Sequence, residues 1–480
     1  MSCEYRKMSS IKTAADFKEH IGSLNINLGF VEKTRSGETS PLGRPLAYKG
    51  RTIGNRWCIL PMEGWDCLGN GAPSGLTERR WMRFGQSGAK LIYGCEAAAV
   101  MPSGRSNTRQ MMISDDTVGG IAALRSKMAA GHKTKFGTAD DLYAGLQITH
   151  SGRYSHPADD KKLESRTAYS HPLLDKKFHN DASCVVSDAE VEDIIAHFIK
   201  AAKLAHKAGF DFVDVKHAHG YLGHEFLSAF DRPGRYGGSF ENRTRFFREI
   251  VEGIKSEVPG LDISVRLSLF DWFPFEKGES NVGRPMQWDG PYKYAFGGDG
   301  TGLGRDLTET VKFIQLAESL GIKMICTTVG SPYYNPHIQR PAYYPVSDGY
   351  LPPEDPLAGV ARQINCVAEV KKQCPGIVFV GSGYTYLQEW LPNVGEYVVE
   401  NGMADFIGIG RMVLSYPEIC ADSLAGKELD RRHICRTFGD CTTAPRNGLI
   451  SGCYPLDEYY REMTEALKMR EIKQAMKKQV

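Results

Sequence analysis

Eight apolar stretches of strand length recur along the chain, at 57–62, 89–95, 142–148, 212–217, 263–269, 323–328, 377–380 and 405–409. Residues with helical spacing follow each of them. The clearest case is 188–208, where Ile194, Ile195, Phe198, Ala201, Ala202 and Ala205 recur behind a Ser187-Asp188 start of the type that caps helices. Residues 243–257 and 307–320 have the same pattern. Near-continuous apolar strands alternating with amphipathic helices predict parallel strands covered by helices outside. Eight such units predict an α/β fold of the closed (β/α)8 TIM barrel type in place of an open sheet.

Two stretches exceed what a minimal barrel needs. Residues 270–306, aromatic and glycine-rich, follow the fifth strand, and residues 329–357 follow the sixth. Both should emerge at the C-terminal rim, where barrel enzymes keep their sites and lids. The alternative is a solvated insertion or a contact within a homo-oligomer. A further helix is expected over 456–478, with Met463, Leu467 and Met476 on its apolar side. The predicted organisation is an N-terminal extension (1–54), a barrel (55–417) and a C-terminal tail (418–480).

Composition and charge exclude more than they assign. Over 480 residues, 41% hydrophobic and 24% charged describe a globular chain with ample material for a core. A net charge of +2 gives no electrostatic ground for nucleic acid or an anionic membrane as partner. No apolar run approaches the roughly 20 residues that span a bilayer. The first seven residues lack the apolar segment of a secretory leader. Twelve cysteines stand singly, and Cys58, Cys95 and Cys326 lie in apolar strands, where a thiol packs as a small hydrophobe. A cytoplasmic protein is the expectation.

The densest chemistry lies where the fourth strand ends. Lys216, His217, His219 and Tyr221 crowd into six positions there, before a helix-like run to Ser228. His217 and His219, two apart on a strand, could supply two ligands to a metal-dependent barrel hydrolase, although no third ligand is evident. Lys216 could form a Schiff base, but Asp214 beside it favours a charged lysine. The third reading is an anion grip with a proton donor. At the last two strands, Gly381-Ser382-Gly383 and Gly410-Arg411 leave backbone N–H groups free to face a phosphate, at the corner where barrels bind one.

Taken in order, the motifs resemble the Old Yellow Enzyme family of FMN-dependent ene-reductases, which includes the barrel domain of 2,4-dienoyl-CoA reductases. They are Asn55-Arg56 with Pro61-Met62, Glu96-Ala-Ala-Ala-Val-Met-Pro-Ser-Gly-Arg105, and Leu146-Gln-Ile-Thr-His-Ser-Gly-Arg153. His219-Gly-Tyr-Leu222 with Glu225-Phe-Leu-Ser228, Arg235-Tyr-Gly-Gly-Ser-Phe-Glu-Asn-Arg243, Val265-Arg266 and Gly410-Arg411 follow. The resemblance runs from about 55 to 417. It implies an FMN cofactor, NADH or NADPH as electron donor, and hydride transfer to an activated C=C bond of an enone, enoate or enoyl thioester. Pro61, Met62, Glu63 and Ala97 would line the flavin, and Gln147 would bond its pyrimidine edge. Arg266 would lie beside N1 and O2, and Gly381, Ser382, Gly383, Gly410 and Arg411 would hold the phosphate. Lys216 and His219 occupy the positions that grip the substrate oxygen, and Tyr221 matches the proton donor.

Two departures stand out against that pattern. Lys216 replaces a usual histidine, with pairing to Asp214 as the alternative to a site role. Glu63 replaces a Thr or Cys near flavin O4 and N5, where a carboxylate disfavours the anionic reduced flavin unless protonated or paired. A flavin-binding barrel with altered or lost activity is therefore a competing reading. The dienoyl-CoA reductase branch also carries a four-cysteine iron–sulfur motif. Cys441 and Cys453 match its last two positions, whereas Ile434 and Thr437 fall on the first two and Cys435 is one residue out of register, which argues against a cluster. His217, on the opposite strand face from Lys216, is expected to pack.

Overall fold

The structure, a computed structural model, describes residues 5–478; the first four residues of the stretch inspected for a leader lie outside it. Eight parallel strands close into a barrel, as the periodicity predicts. They are β1 (Trp57–Ile59), β2 (Leu91–Ile92 and Ala97–Ala99), β3 (Tyr143–Thr149), β4 (Phe212–His217), β5 (Asp262–Ser268), β6 (Met324–Thr328), β7 (Val378–Gly381) and β8 (Phe406–Ile409). The helices outside are α1 (Gly75–Gly85), α2 (Val118–Phe136), α3 (Asp188–Lys207), α4 (Arg245–Glu257), α5 (Thr308–Ser319), α6 (Pro356–Gln373), α7 (Leu391–Glu400) and α8 (Ile419–Leu424). Ser187 caps α3 as expected. Its hydroxyl accepts from the Glu190 N–H, and the Glu190 carboxylate accepts from the Ser187 N–H.

One strand differs from expectation. The sequence predicts β2 as a single run over 89–95; instead it comes in two pieces, both paired with β3 and the first also with β1. Cys95 holds a φ of +44° between them, which no extended strand tolerates. The break lets β2 pass Pro61, to which a Cβ on Gly94 would approach within 2.7 Å.

Side chains alternate in and out along each strand. The barrel interior near its N-terminal end is filled by Cys58, Tyr93, Phe212, Met324, Cys326 and Phe406. A hairpin, Leu46–Tyr48 paired with Arg51–Ile53, closes that end, with Tyr48 and Ile53 packed into the same cluster. Tyr48 donates to Asp262 at the foot of β5 (2.9 Å). The larger apolar layer lies between strands and helices, including Val213, Val215 and Phe246.

The expected tail helix over 456–478 is two helices, Glu458–Arg461 and Glu465–Lys478. Met463 packs beside the second, but Leu467 is 62% exposed, and Ala466 and Met469 take the buried face instead. Residues 270–306 form a hairpin, Phe275–Lys277 with Gly283–Pro285, and an aromatic cluster around Phe273 and Tyr292. A bridge from Val282 to Leu351 ties this excursion to the next one.

Beneath the rim, α1 delivers a buried cation between two carboxylates. Arg80 donates to Asp66 (2.9 and 3.1 Å) and to Glu96 (2.6 Å), and so joins the loop after β1 to the break in β2. Arg80→Ala leaves both acids buried without their counter-ion. Urea unfolding of this variant is expected to show a loss of about 3–5 kcal/mol.

Candidate active site

Strand β4 carries the site because its register is fixed on both sides. Gln147 lies opposite Asp214 on the β3 side, and Arg266 lies opposite Lys216 on the β5 side. Asp214 and Lys216 therefore point inward. His217 points outward among the rings of Phe246, Phe247 and Phe313, as its strand face predicts. The chain then turns at Ala218–Tyr221, with φ of +68° at His219 and +77° at Gly220. Two successive positive φ values define a type I′-like turn, which histidine tolerates better than most residues and glycine adopts freely. Ser268 Oγ accepts from the His219 N–H (3.2 Å), and Ser331 Oγ donates to the His219 carbonyl (2.8 Å), so the turn is held from two strand ends. This turn breaks the strand alternation. His217 and His219 consequently do not share a face, and the two-histidine metal pair is not formed. Among the described residues, no group of three or more His, Cys, Asp and Glu is placed to hold a metal.

Above the strand ends lie two cavities that run into one another, with Pro61, Glu63, His219, Arg266 and Arg340 lining both. Ala97, Gln147, Lys216 and Tyr221 line the first; Met62, Ser382, Gly383, Gly410 and Arg411 line the second. Of the residues that the family resemblance assigns to flavin or substrate, Gly381 alone is outside this lining. It lies within β7, and a Cβ on neighbouring Gly408 would stand 2.3 Å from its carbonyl oxygen, so these glycines serve close strand approach. The aromatic excursion 270–306 follows the C-terminal end of β5 as expected, but contributes no residue to this lining.

Lys216 does not pair with Asp214, which instead accepts from the Gln147 amide. Lys216 Nζ donates to Glu63 Oε1 (3.3 Å) and stands 3.6 Å from the centre of the Tyr221 ring. Tyr221 donates to the same Oε1 (2.6 Å) and lies 2.9 Å from Tyr333 Oη. Ser106 holds the other carboxylate oxygen (2.6 Å). The ionisations follow from this packing. Burial pulls the Lys216 ammonium down to about 8, with Glu63 opposing. Burial and the Glu63 charge raise the Tyr221 phenol well above its ordinary range. Burial, reinforced by Arg266 and Lys216, keeps His219 neutral, and the Gln339 amide contacts its Nε2 (3.1 Å). Burial raises Asp214 to about 6.

Sequence reasoning missed several groups here. Tyr333, Gln339 and Arg340 come from the excursion after β6, and Cys441, Thr442 and Arg446 from the tail helix Asp440–Arg446. Cys441 stands out in the sequence only as part of an incomplete cysteine motif and no motif marks the others, although an arginine in an insertion at the phosphate corner was a usable signal. Arg340 donates to Thr442 (2.7 Å), and burial with the nearby Arg446 and Arg411 lowers it to about 9.

The sequence model of the NADH:flavin oxidoreductase / NADH oxidase family matches residues 41–289. Curated relatives include the NADPH dehydrogenase of Bacillus subtilis, 28% identical over 382 residues, 78% of this chain and 91% of that protein. Another is NADH:flavin oxidoreductase FG08077 of Gibberella zeae, 26% identical over 370 residues, 73% of this chain and 78% of that one. Among solved structures, a 2-naphthoyl-CoA reductase complex superposes with a TM-score of 0.65 at 18% identity, covering 88% of this chain and 57% of that chain. The old yellow enzyme homologue from Zymomonas mobilis gives 0.56 at 18%, covering 81% and 94%. Barrel, motif order and sequence match together define a flavin-dependent oxidoreductase. The chain belongs to the NADH:flavin oxidoreductase / NADH oxidase family, that of the Old Yellow Enzymes, with FMN as cofactor and NADH or NADPH as donor.

The residues present fit FMN. Arg266, Arg340 and Arg411 face the joined cavity, and no described carboxylate forms an ion pair with any of them; Arg266 Nε is buried with no acceptor. FMN brings a phosphate and, once reduced, an anionic ring. Arg340→Met should raise the melting temperature of the FMN-free protein, because it removes an uncompensated cation. The same variant should weaken FMN by about 1.5–3 kcal/mol, the worth of a charged hydrogen bond, in a fluorescence titration.

Proposed function

We propose that this enzyme reduces a C=C bond activated by a carbonyl, as in an enone, enoate or enoyl thioester, with electrons from NADH or NADPH. The observation that carries this reading is the convergence of Lys216, His219 and Tyr221 on one cavity with Gln147 and Arg266. In this reading Gln147 and Arg266 hold the flavin ring, with Pro61, Met62 and Ala97 against it. Ser382, Gly383, Gly410, Arg411 and Arg340 hold the phosphate. Bound FMN supplies, in its reduced form, a hydride for the β-carbon.

The chain's own groups manage the charge that follows. Negative charge grows on the substrate oxygen, and the Lys216 ammonium with an N–H of His219 stabilises it there. Donors fixed where charge develops are worth about 2.7–4 kcal/mol in comparable oxyanion sites. Tyr221 delivers a proton to the α-carbon, and the stacked Tyr154 and Tyr333 rings (3.9 Å between centres) wall it from water. A cytoplasmic setting belongs to the same proposal, supported by the eleven described cysteines, all of them free thiols.

Anaerobic titration tests the reading. The yellow protein should bleach with NADH or NADPH and recolour on addition of an enone or enoate; a colour unmoved by any such alkene refutes it. Tyr221→Phe should still be reduced by the nicotinamide. Its reoxidation by alkene should slow by about 10²–10⁴-fold, the usual worth of a general acid.

A further inference from the structure

The two departures from the family pattern, Glu63 on the β1 side and Lys216 on β4, are each other's partners. A single oxygen, Glu63 Oε1, accepts from both Lys216 (3.3 Å) and Tyr221 (2.6 Å). Ser106 donates to Oε2 (2.6 Å) and so fixes the carboxylate with Oε1 turned toward the phenol. A simple ion pair would leave Tyr221 out of the contact. Instead an unbroken path of hydrogen bonds runs from an ammonium, through a carboxylate, to the proposed proton donor.

We infer that Glu63 is a proton relay that recharges Tyr221 from Lys216 after each reduction. The inference rests on the proposed role of Tyr221. When the Tyr221 O–H bond breaks and its proton forms the new C–H bond at the α-carbon, a buried phenolate is left beside a carboxylate. Two anions at hydrogen-bond distance in a site of low dielectric repel strongly. A proton passing from Lys216 to Oε1, and from Oε1 to the phenolate, restores the phenol and leaves a neutral amine. Lys216 then regains its proton from solvent, and no electrons move. The charged and titratable groups around the path are Asp214 on β4, His219 in the turn after it, Arg266 on β5, and Tyr333, Arg340 and Arg446 from the later segments. The carboxylate that disfavours reduced flavin when alone is here compensated by Lys216.

Glu63 acts through Tyr221, so the test must separate relay from packing. Rapid mixing of the reduced holoenzyme with an activated alkene gives the rate of a single reoxidation, which begins with Tyr221 already protonated, and steady-state turnover with saturating NADH or NADPH gives the rate of repeated cycles. In the wild type turnover should fall as pH rises through about 8, where Lys216 gives up its proton. Glu63→Gln should slow turnover on the order of 100-fold more than it slows the single reoxidation. Glu63→Asp, which keeps the carboxylate, should close that gap. If Glu63→Gln does not retain FMN, Glu63→Thr gives the same readout with the neutral residue type of the family pattern. Equal slowing of the two rates in the neutral variants overturns the relay and leaves Glu63 as the ion-pair partner of Lys216 alone. A wild-type enzyme that no activated alkene reoxidises overturns the ene-reductase reading and the relay together.

Discussion

The alternation of side chains along β4 is the constraint on which the chemistry depends. Both faces of this strand are buried, and its register is locked by β3 on one edge and β5 on the other. A slip of one residue would exchange the faces. Lys216 would then enter the aromatic layer of Phe246, Phe247 and Phe313, where an ammonium has no acceptor, and His217 would enter the cavity. The register is thus enforced by the cost of burying charge as much as by hydrogen bonds. What the strand cannot do by alternation, the turn at His219 and Gly220 does. It brings His219 and Tyr221 back over the barrel mouth.

Charge in the cavity divides into two parts. Lys216 and Glu63 neutralise one another within the protein, whereas Arg266, Arg340 and Arg411 have no carboxylate partner among the described residues. The second group is a standing demand for an anion, which in the proposed assignment FMN would meet at two ends, phosphate and ring. Binding to the folded state alone adds to stability by mass action. The empty protein therefore carries an electrostatic cost that its cofactor relieves, which links occupancy to folding without any moving part.

Much of this was legible from local pattern. The eight strands follow from apolar runs, the outward position of His217 from the period of two, and the cavity residues of β3, β4 and β5 from motifs at strand ends. The break in β2 was not legible, because Cys95 is an ordinary apolar residue whose positive φ is imposed by its neighbours. The Glu63–Lys216 pair was hidden for a different reason. The partners are 153 positions apart, and each had a plausible separate account, Lys216 with Asp214 two residues away and Glu63 against the flavin. Arg340 and the tail helix carry no periodic signature, and only tertiary packing brings them to the cavity. The tail itself was misread as one helix because its apolar spacing continues through 462–464, where the backbone does not.

Helix Asp440–Arg446 lies well beyond β8 in sequence, yet Cys441, Thr442 and Arg446 form part of the cavity wall, and Thr442 accepts from Arg340. During synthesis the barrel strands leave the ribosome before this wall does, and N-terminal portions fold first. A nascent barrel would therefore expose an open cationic mouth until this helix docks across it. The cavity is thus finished by a part of the chain that follows the barrel, so a complete set of eight strands is not yet a complete site.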